Sequence, residues 1–163
     1  MQKPEGPAGP LPDAAGCRFA LVVSRFNGAI TDRLLEGAQA ALAEAAADAN
    51  DVEVFTVPGA FELPQAARAA AETGRFDAVV CLGSVVRGAT PHFEYISASV
   101  AHALQAAAGD TGVPMTFGVL TTDTWEQAEA RAGAGRTNKG FEAAAAAVET
   151  ARLFRRFRNG DRR

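Results

Sequence analysis

Cysteine is nearly absent. Cys17 and Cys81 form no CxxC pair, so a disulfide framework, a cysteine-ligated metal site and dithiol redox chemistry are all excluded. Both read as reduced, buried thiols of a cytoplasmic protein, Cys81 in the middle of an aliphatic run. Long hydrophobic runs are also missing: nothing approaches the roughly 20 apolar residues of a membrane span, and a membrane partner is not expected. The opening MQKPEGPAGPLPDAAG has no apolar h-region, so a secretory signal is not expected either. Lysine is limited to Lys3 and Lys139 in a chain with fourteen arginines. Lys139 is therefore either an ordinary solvated lysine or a position that needs a compact ammonium.

What remains is ordinary for a globular protein, with 48% hydrophobic and 21% charged residues. A chain of 163 residues is most simply one domain, able to bury roughly 70% of its unfolded surface. Four of the eight prolines fall in the first twelve residues, which predicts a flexible arm over 1–16 with no fold of its own. A single domain follows over 17–158, then a basic tail over 159–163. The segment RLFRRFRNGDRR (152–163) holds six Arg against one Asp, so a net charge of −3 divides into +5 there and −8 elsewhere. It reads as cations closing a last helix rather than as a nucleic-acid face, because no wider basic surface interleaved with aromatics accompanies it.

From Arg18 onward aliphatic and helical stretches alternate. RFALVVS (18–24), VEVFTV (52–57), DAVVCLG (77–83) and VPMTFGVLT (113–121) read as strands. Between them lie a helix capped by Thr31, a second over 61–72 stopped by Gly74, and a third over 91–108 stopped by Gly109. A short helix opens on a capping box of Thr124 and Gln127, and an alanine-rich helix covers 138–157. Continuous β-branched strands separated by helices predict a doubly wound, three-layer, flavodoxin-like α/β fold. Its parallel sheet has four strands with helices on both faces.

Ligands of such sheets bind beyond the carboxyl ends of the strands, and the unusual residues collect there. SRFN (24–27) follows the first strand, PGAFE (58–62) the second, GSVVRGATPHFEYI (83–96) ends the third, and TTDT (121–124) the fourth. In the third, Thr90 suits a helix cap and Pro91 the first helical position. The backbone N–H groups of Gly88, Ala89 and Thr90 can then converge on an anion, most naturally a phosphate. His92 falls in the first helical turn, where the positive end of the helix dipole favours a neutral ring that can accept a proton. His102, further along the same helix, faces away by the ~100° helical step. GSVVRGAT lacks the Lys-Ser/Thr of a P-loop, which excludes nucleotide hydrolysis on that pattern. Phe26 is either a staple for the following helix or a stacking face for a flat heteroaromatic ligand. Glu62 can accept hydrogen bonds from hydroxyls, and Arg131 can offer a guanidinium fork to a bound phosphate. SRFN and GSVVRG offer none of the acidic residues of a receiver domain, and RFNGAI is not the hydroxyl-rich loop of a flavodoxin.

SRFN, PGAFE, GSVVRGATPHFEYI, FGVLTT, EQAEARAG and NKG, in this order and spacing, resemble the 6,7-dimethyl-8-ribityllumazine synthase family over roughly 18–157. The resemblance implies a transferase of riboflavin biosynthesis. It would condense 5-amino-6-(D-ribitylamino)uracil with 3,4-dihydroxy-2-butanone 4-phosphate, with no cofactor and no metal. It implies that Phe26 stacks on the pyrimidine, Ala60, Phe61 and Glu62 hold the ribityl chain, and Ser84, Val85 and Val86 line the same substrate. Ala89, Thr90 and Arg131 would bind the phosphate, with His92 moving protons. Phe117 would come from a neighbouring subunit, and Asn27 and Lys139 would support the pocket. The segment AGAGRTN between Arg131 and Lys139 departs from the family pattern, and Arg136 within it alters the local charge. Family members are pentamers or sixty-subunit shells of pentamers, so a homo-oligomer is expected, with riboflavin synthase as a protein partner. The nearest enzymatic alternative on the same fold is an archaeal-type riboflavin synthase. A carrier or shell protein without turnover is the non-enzymatic one.

Overall fold

The four aliphatic runs pair side by side into one parallel sheet. The computed structural model describes residues 5–160. Its strands are β1 (Phe19–Ser24), β2 (Val52–Val57), β3 (Ala78–Val86) and β4 (Met115–Thr122), in the order β2-β1-β3-β4. The helices are α1 (Gly28–Glu44), α2 (Leu63–Glu72), α3 (His92–Thr111), α4 (Trp125–Arg131) and α5 (Lys139–Asn159). Single 3-10 turns at Ala49–Asp51 and Ala60–Glu62 lead into β2 and α2.

Successive strand residues point to opposite faces, so a strand covered on both sides must be apolar throughout. β1 meets that requirement and is buried at every position. Phe19, Leu21 and Val23 enter the core with α1 and α5, while Ala20 and Val22 enter the core with α2 and α3. These are the three layers expected. The edge strand β2 is barer, with Val54 and Phe55 at 40% and 37% exposure.

Several boundaries differ from the sequence reading. Asn27, not Thr31, caps α1, and Thr31 is buried inside the first turn. Pro91 is the cap residue of α3, so Thr90 lies outside the helix and Pro91 is not its first helical residue. α3 runs through Gly109 to Thr111 and stops at Gly112, whose φ of 70° is left-handed. An exposed glycine inside a helix costs only about 1 kcal/mol, whereas a left-handed residue just past the end supplies an actual stop. The capping box is half made. Thr124 Oγ1 accepts the Gln127 N–H at 3.2 Å, but Gln127 Oε1 accepts from Asp123 N–H at 2.9 Å instead of Thr124.

The proline-rich segment makes contacts of its own. Residues 5–16 hold no helix or strand, yet they lie against the domain: Ala14 is buried and its N–H donates to Ala45 O at 2.7 Å. Arg136 donates to the carbonyls of Pro7 and Gly9, both at 2.7 Å. A proline-rich segment keeps its carbonyls free to accept, and arginine supplies the donors. α5 continues to Asn159 and so enters the expected tail. Lys3, Arg162 and Arg163 lie outside the described residues.

The NKG motif joins α5 to α1. Asn138 Oδ1 accepts from the N–H groups of Gly140 and Phe141 at 2.8 and 3.2 Å, capping α5. Its Nδ2 donates to Arg33 O at 3.0 Å and Gly133 O at 2.9 Å. Gly140 is there for contact: a methyl on it would overlap the Leu34 carbonyl of α1. Gly140→Ala must push the two helices apart, and urea unfolding should show a loss of about 2–3 kcal/mol. In the core, burial pushes the Cys81 thiol up to about 12 and raises Cys17 as well. Since the thiolate is the reactive form, neither cysteine should be alkylated by iodoacetamide at about pH 8 in the folded protein, and both should react once it is unfolded in urea.

Candidate functional site

β3 outruns β1. Their pairing ends at Val23 opposite Leu82, while β3 stays paired with β4 as far as Val86 opposite Thr122. The side of β3 that faced β1 is therefore open over Gly83–Val86, at the point where the strand order reverses. An open cleft of about 750 Å³ lies along it, lined by Phe26, Pro58, Gly59, Ala60, Phe61, Glu62, Ser84, Val85, Val86, Gly88, Thr90, His92, Phe93, Tyr95 and Ile96.

Each wall has a local cause. Beyond β1, Arg25 N–H donates to Val57 O at 2.8 Å and Phe26 N–H to Pro58 O at 3.0 Å, so the chain follows β2 for one more step. Asn27 then adopts a left-handed conformation (φ 58°, ψ 44°) that reverses direction into α1. Among non-glycine residues asparagine tolerates this region best. Its Nδ2 donates to Ser84 O at 2.9 Å, tying the turn to the free stretch of β3. Phe26 is left 70% exposed at the cleft, so it does not act as a staple for α1. Across the opening, Gly59 N–H donates to Glu62 Oε2 at 2.9 Å, which holds the PGAFE turn closed. Ser84 Oγ is buried and has no hydrogen-bond partner among the described residues.

The remaining wall is the start of α3. Among the described residues no side chain caps this helix; the Glu94 and Tyr95 amides turn back to Pro91 O at 3.2 and 3.5 Å, which leaves those of His92 and Phe93 to receive an anion. Gly88, Thr90 and His92 line the cleft there, and His92 is exposed to it. Ala89 is exposed but does not itself line the cleft.

Three of the expected residues come together elsewhere. Phe117, Arg131 and Lys139 line a second cleft of about 480 Å³, walled by β4, α4 and α5. Phe117 is 46% exposed. Arg131 Nη1 donates to Gln127 O at 3.0 Å, and Lys139 Nζ pairs with Glu142 Oε2 at 2.7 Å. Within one chain, then, Arg131 does not line the cleft of the Gly88–Thr90 turn.

Residues 16–155 match the profile described as 6,7-dimethyl-8-ribityllumazine synthase. A 6,7-dimethyl-8-ribityllumazine synthase of Syntrophus aciditrophicus (strain SB) is 55% identical over 142 residues, 87% of this chain and 92% of that protein. The chain belongs to the 6,7-dimethyl-8-ribityllumazine synthase family.

Two groups near the lumazine synthase clefts were given no role by the sequence reading. Glu142 faces the second cleft, and its Oε1 is buried with no partner among the described residues. Its signal was its place three residues beyond Lys139 on one helix face. Arg87 sits at the exit of β3, paired with Glu94 and Asp123. Nothing local marks Asp123 as its partner, because that contact depends on the β3–β4 register. Asn27 is the joint on which the first cleft turns. Asn27→Ala loses both the Ser84 bond and the tolerance for the left-handed region, a combined cost of about 2 kcal/mol in urea unfolding. Asn27→Gly restores only the backbone freedom and should fall between wild type and alanine.

Proposed function

We propose that this protein condenses 5-amino-6-(D-ribitylamino)uracil with 3,4-dihydroxy-2-butanone 4-phosphate to 6,7-dimethyl-8-ribityllumazine, with release of phosphate and water. The observation that carries the substrate reading is the larger cleft. A bare phenylalanine, a free strand edge and an uncapped helix start with a histidine beside it face one space, in a chain of this family. A pyrimidine offers a flat ring to Phe26 and an edge of donors and acceptors to Ser84–Val86. Its ribityl hydroxyls suit the turn at Ala60, Phe61 and Glu62. The phosphate suits the amides from Ala89 and Thr90 into α3.

The chemistry asks for little more. The substrate amine attacks the ketone to give a carbinolamine, which loses water to an imine. Phosphate then leaves, and ring closure with loss of a second water completes the lumazine. Each step moves a proton, the role assigned to His92. The partners are intrinsically reactive, so holding them together provides most of the acceleration.

Arg131, Phe117 and Lys139 are assigned to the same site through a second copy of the chain, whose smaller cleft would close over the larger one. The apolar surface left bare supports such an assembly: Phe26, Phe61, Tyr95, Phe117 and Phe157 are all exposed. We read the assembly as a pentamer or a shell of pentamers. Two free buried thiols agree with a reducing, cytoplasmic setting. Riboflavin synthase, which consumes the lumazine, is the matching protein partner.

Mixing both substrates with the protein should produce lumazine absorbance well above the spontaneous rate, and lumazine supplied alone should not be consumed. An unaccelerated rate would overturn the reading. His92→Ala should lower kcat only about tenfold, since positioning is kept. Arg131→Ala should chiefly raise KM for the butanone phosphate. If the site is shared between copies, refolding equal amounts of the two impaired variants together restores about a quarter of the sites to the native pairing.

A further inference from the structure

We propose that Arg87 is a positioning residue that neutralises Glu94 and Asp123, so that the start of α3 can receive a dianionic substrate; this rests on the reading above. Arg87 directly follows β3, and its N–H donates to Thr122 O at 2.8 Å. Its guanidinium Nε donates to Asp123 Oδ1 at 2.7 Å, and its Nη1 pairs with Glu94 Oε1. The guanidinium also stacks 4.4 Å from the centre of the Phe93 ring, which lines the larger cleft. One side chain thus joins the ends of β3 and β4 to the first turn of α3.

Arg87 is not placed to bind the phosphate itself. It does not line the cleft, and its Nε, Nη1 and one face of its plane are already engaged. Nor is the cluster an important source of stability. All three side chains are substantially exposed, at 43%, 52% and 65% for Arg87, Glu94 and Asp123, and exposed ion pairs contribute little to folding. Its effect belongs at the neighbouring site. Glu94 lies two residues past His92, about 3 Å further along the helix, well inside the ~8 Å over which charge acts at physiological ionic strength. Its carboxyl is held below the usual range by the hydrogen bond from Arg87, so it is an anion at neutral pH. Without Arg87, two carboxylates would face the helix start on which the phosphate depends.

The test uses the full-length protein, with steady-state rates in both substrates and calorimetric titration with inorganic phosphate. Arg87→Ala should raise KM for the butanone phosphate and weaken inorganic phosphate binding, each about tenfold. KM for the pyrimidine should stay within about twofold, because that substrate carries no comparable charge. Arg87→Ala combined with Glu94→Gln and Asp123→Asn should return both values to within about threefold of wild type, since the repelling charges are gone. A simple strut would not be rescued by removing its partners. Unchanged phosphate affinity in Arg87→Ala, or a triple variant no better than the single one, overturns the proposal. Should Arg87→Ala fail to fold, Glu94→Gln/Asp123→Asn with Arg87 intact decides: it should tighten phosphate binding, and unchanged binding overturns the idea. Wild-type protein that makes no lumazine would instead sink the enzymatic reading, while the phosphate titrations would still judge Arg87.

Discussion

The offset between β1 and β3 governs the rest of the molecule. Had β1 continued alongside β3 to Val86, the backbone groups of Gly83–Val86 would be used up in the sheet and no cleft would exist. Instead β1 ends at Ser24, and the chain leans towards β2 before reversing at Asn27. Backbone groups without a strand partner must be satisfied by water, side chain or ligand. The Asn27 amide satisfies Ser84 O, the group nearest the reversal. What lies beyond it is left to whatever occupies the cleft. Switch-point binding in α/β sheets has this origin, and the Asn27 left-handed turn is its local expression here.

Arginine does most of the tying in this fold. Asp77, just before β3, accepts from Arg155 Nη2 at 2.9 Å and from the N–H of Arg18 at 2.8 Å, with Arg158 at 3.7 Å. Arg152 reaches the carbonyl of Asp13 at 2.5 Å. Three of the six arginines of the basic segment are thus engaged where α5 crosses the base of the sheet. Arg136 does the same at the other end of α5, binding the Pro7 and Gly9 carbonyls and pairing with Glu44 of α1. A planar fork can serve several acceptors at once where an ammonium cannot match the geometry. It also gives Arg136 a structural use.

Strand and helix positions were legible because periodicity is a long-range signal summed over many residues. Ends were less so, because they depend on single contacts. Gly109 and Gly112 look alike in sequence, and only the backbone angle shows which one stops α3. Asn27 caps α1 from the left-handed region, outside the extended conformation in which Ser, Thr or Asp are usually recognised, so Thr31 was the more visible candidate. Ser84 looked like the exit of a strand, but pairing with β4 carries it into the buried part of the sheet. The contacts of the proline-rich segment were hidden for a related reason: proline content reports the absence of regular structure and says nothing of contacts. The residues of the first cleft were legible as a set because they lie at or just beyond the carboxyl ends of strands.

The least legible feature was the division of the expected residues between two clefts, because a sequence does not say which copy of the chain a residue serves. Phe26 and Phe61 stand bare at one opening and Phe117 at the other, at 70%, 53% and 46% exposure. An aromatic ring carries some 150–250 Å² of surface, and covering it yields about 25 cal/mol per Å². Three such rings therefore hold several kcal/mol that the isolated chain leaves unrealised. On the proposed reading, that energy is recovered when a neighbouring copy and the substrates fill the space between them. Assembly and substrate binding then draw on the same surfaces. This suits a reaction that needs its partners held close more than it needs a strong catalyst. The buried, unpartnered Glu142 Oε1 beside Lys139 belongs to the same picture. A polar atom left unsatisfied in one chain is costly, and this one belongs to a residue that lines the second cleft.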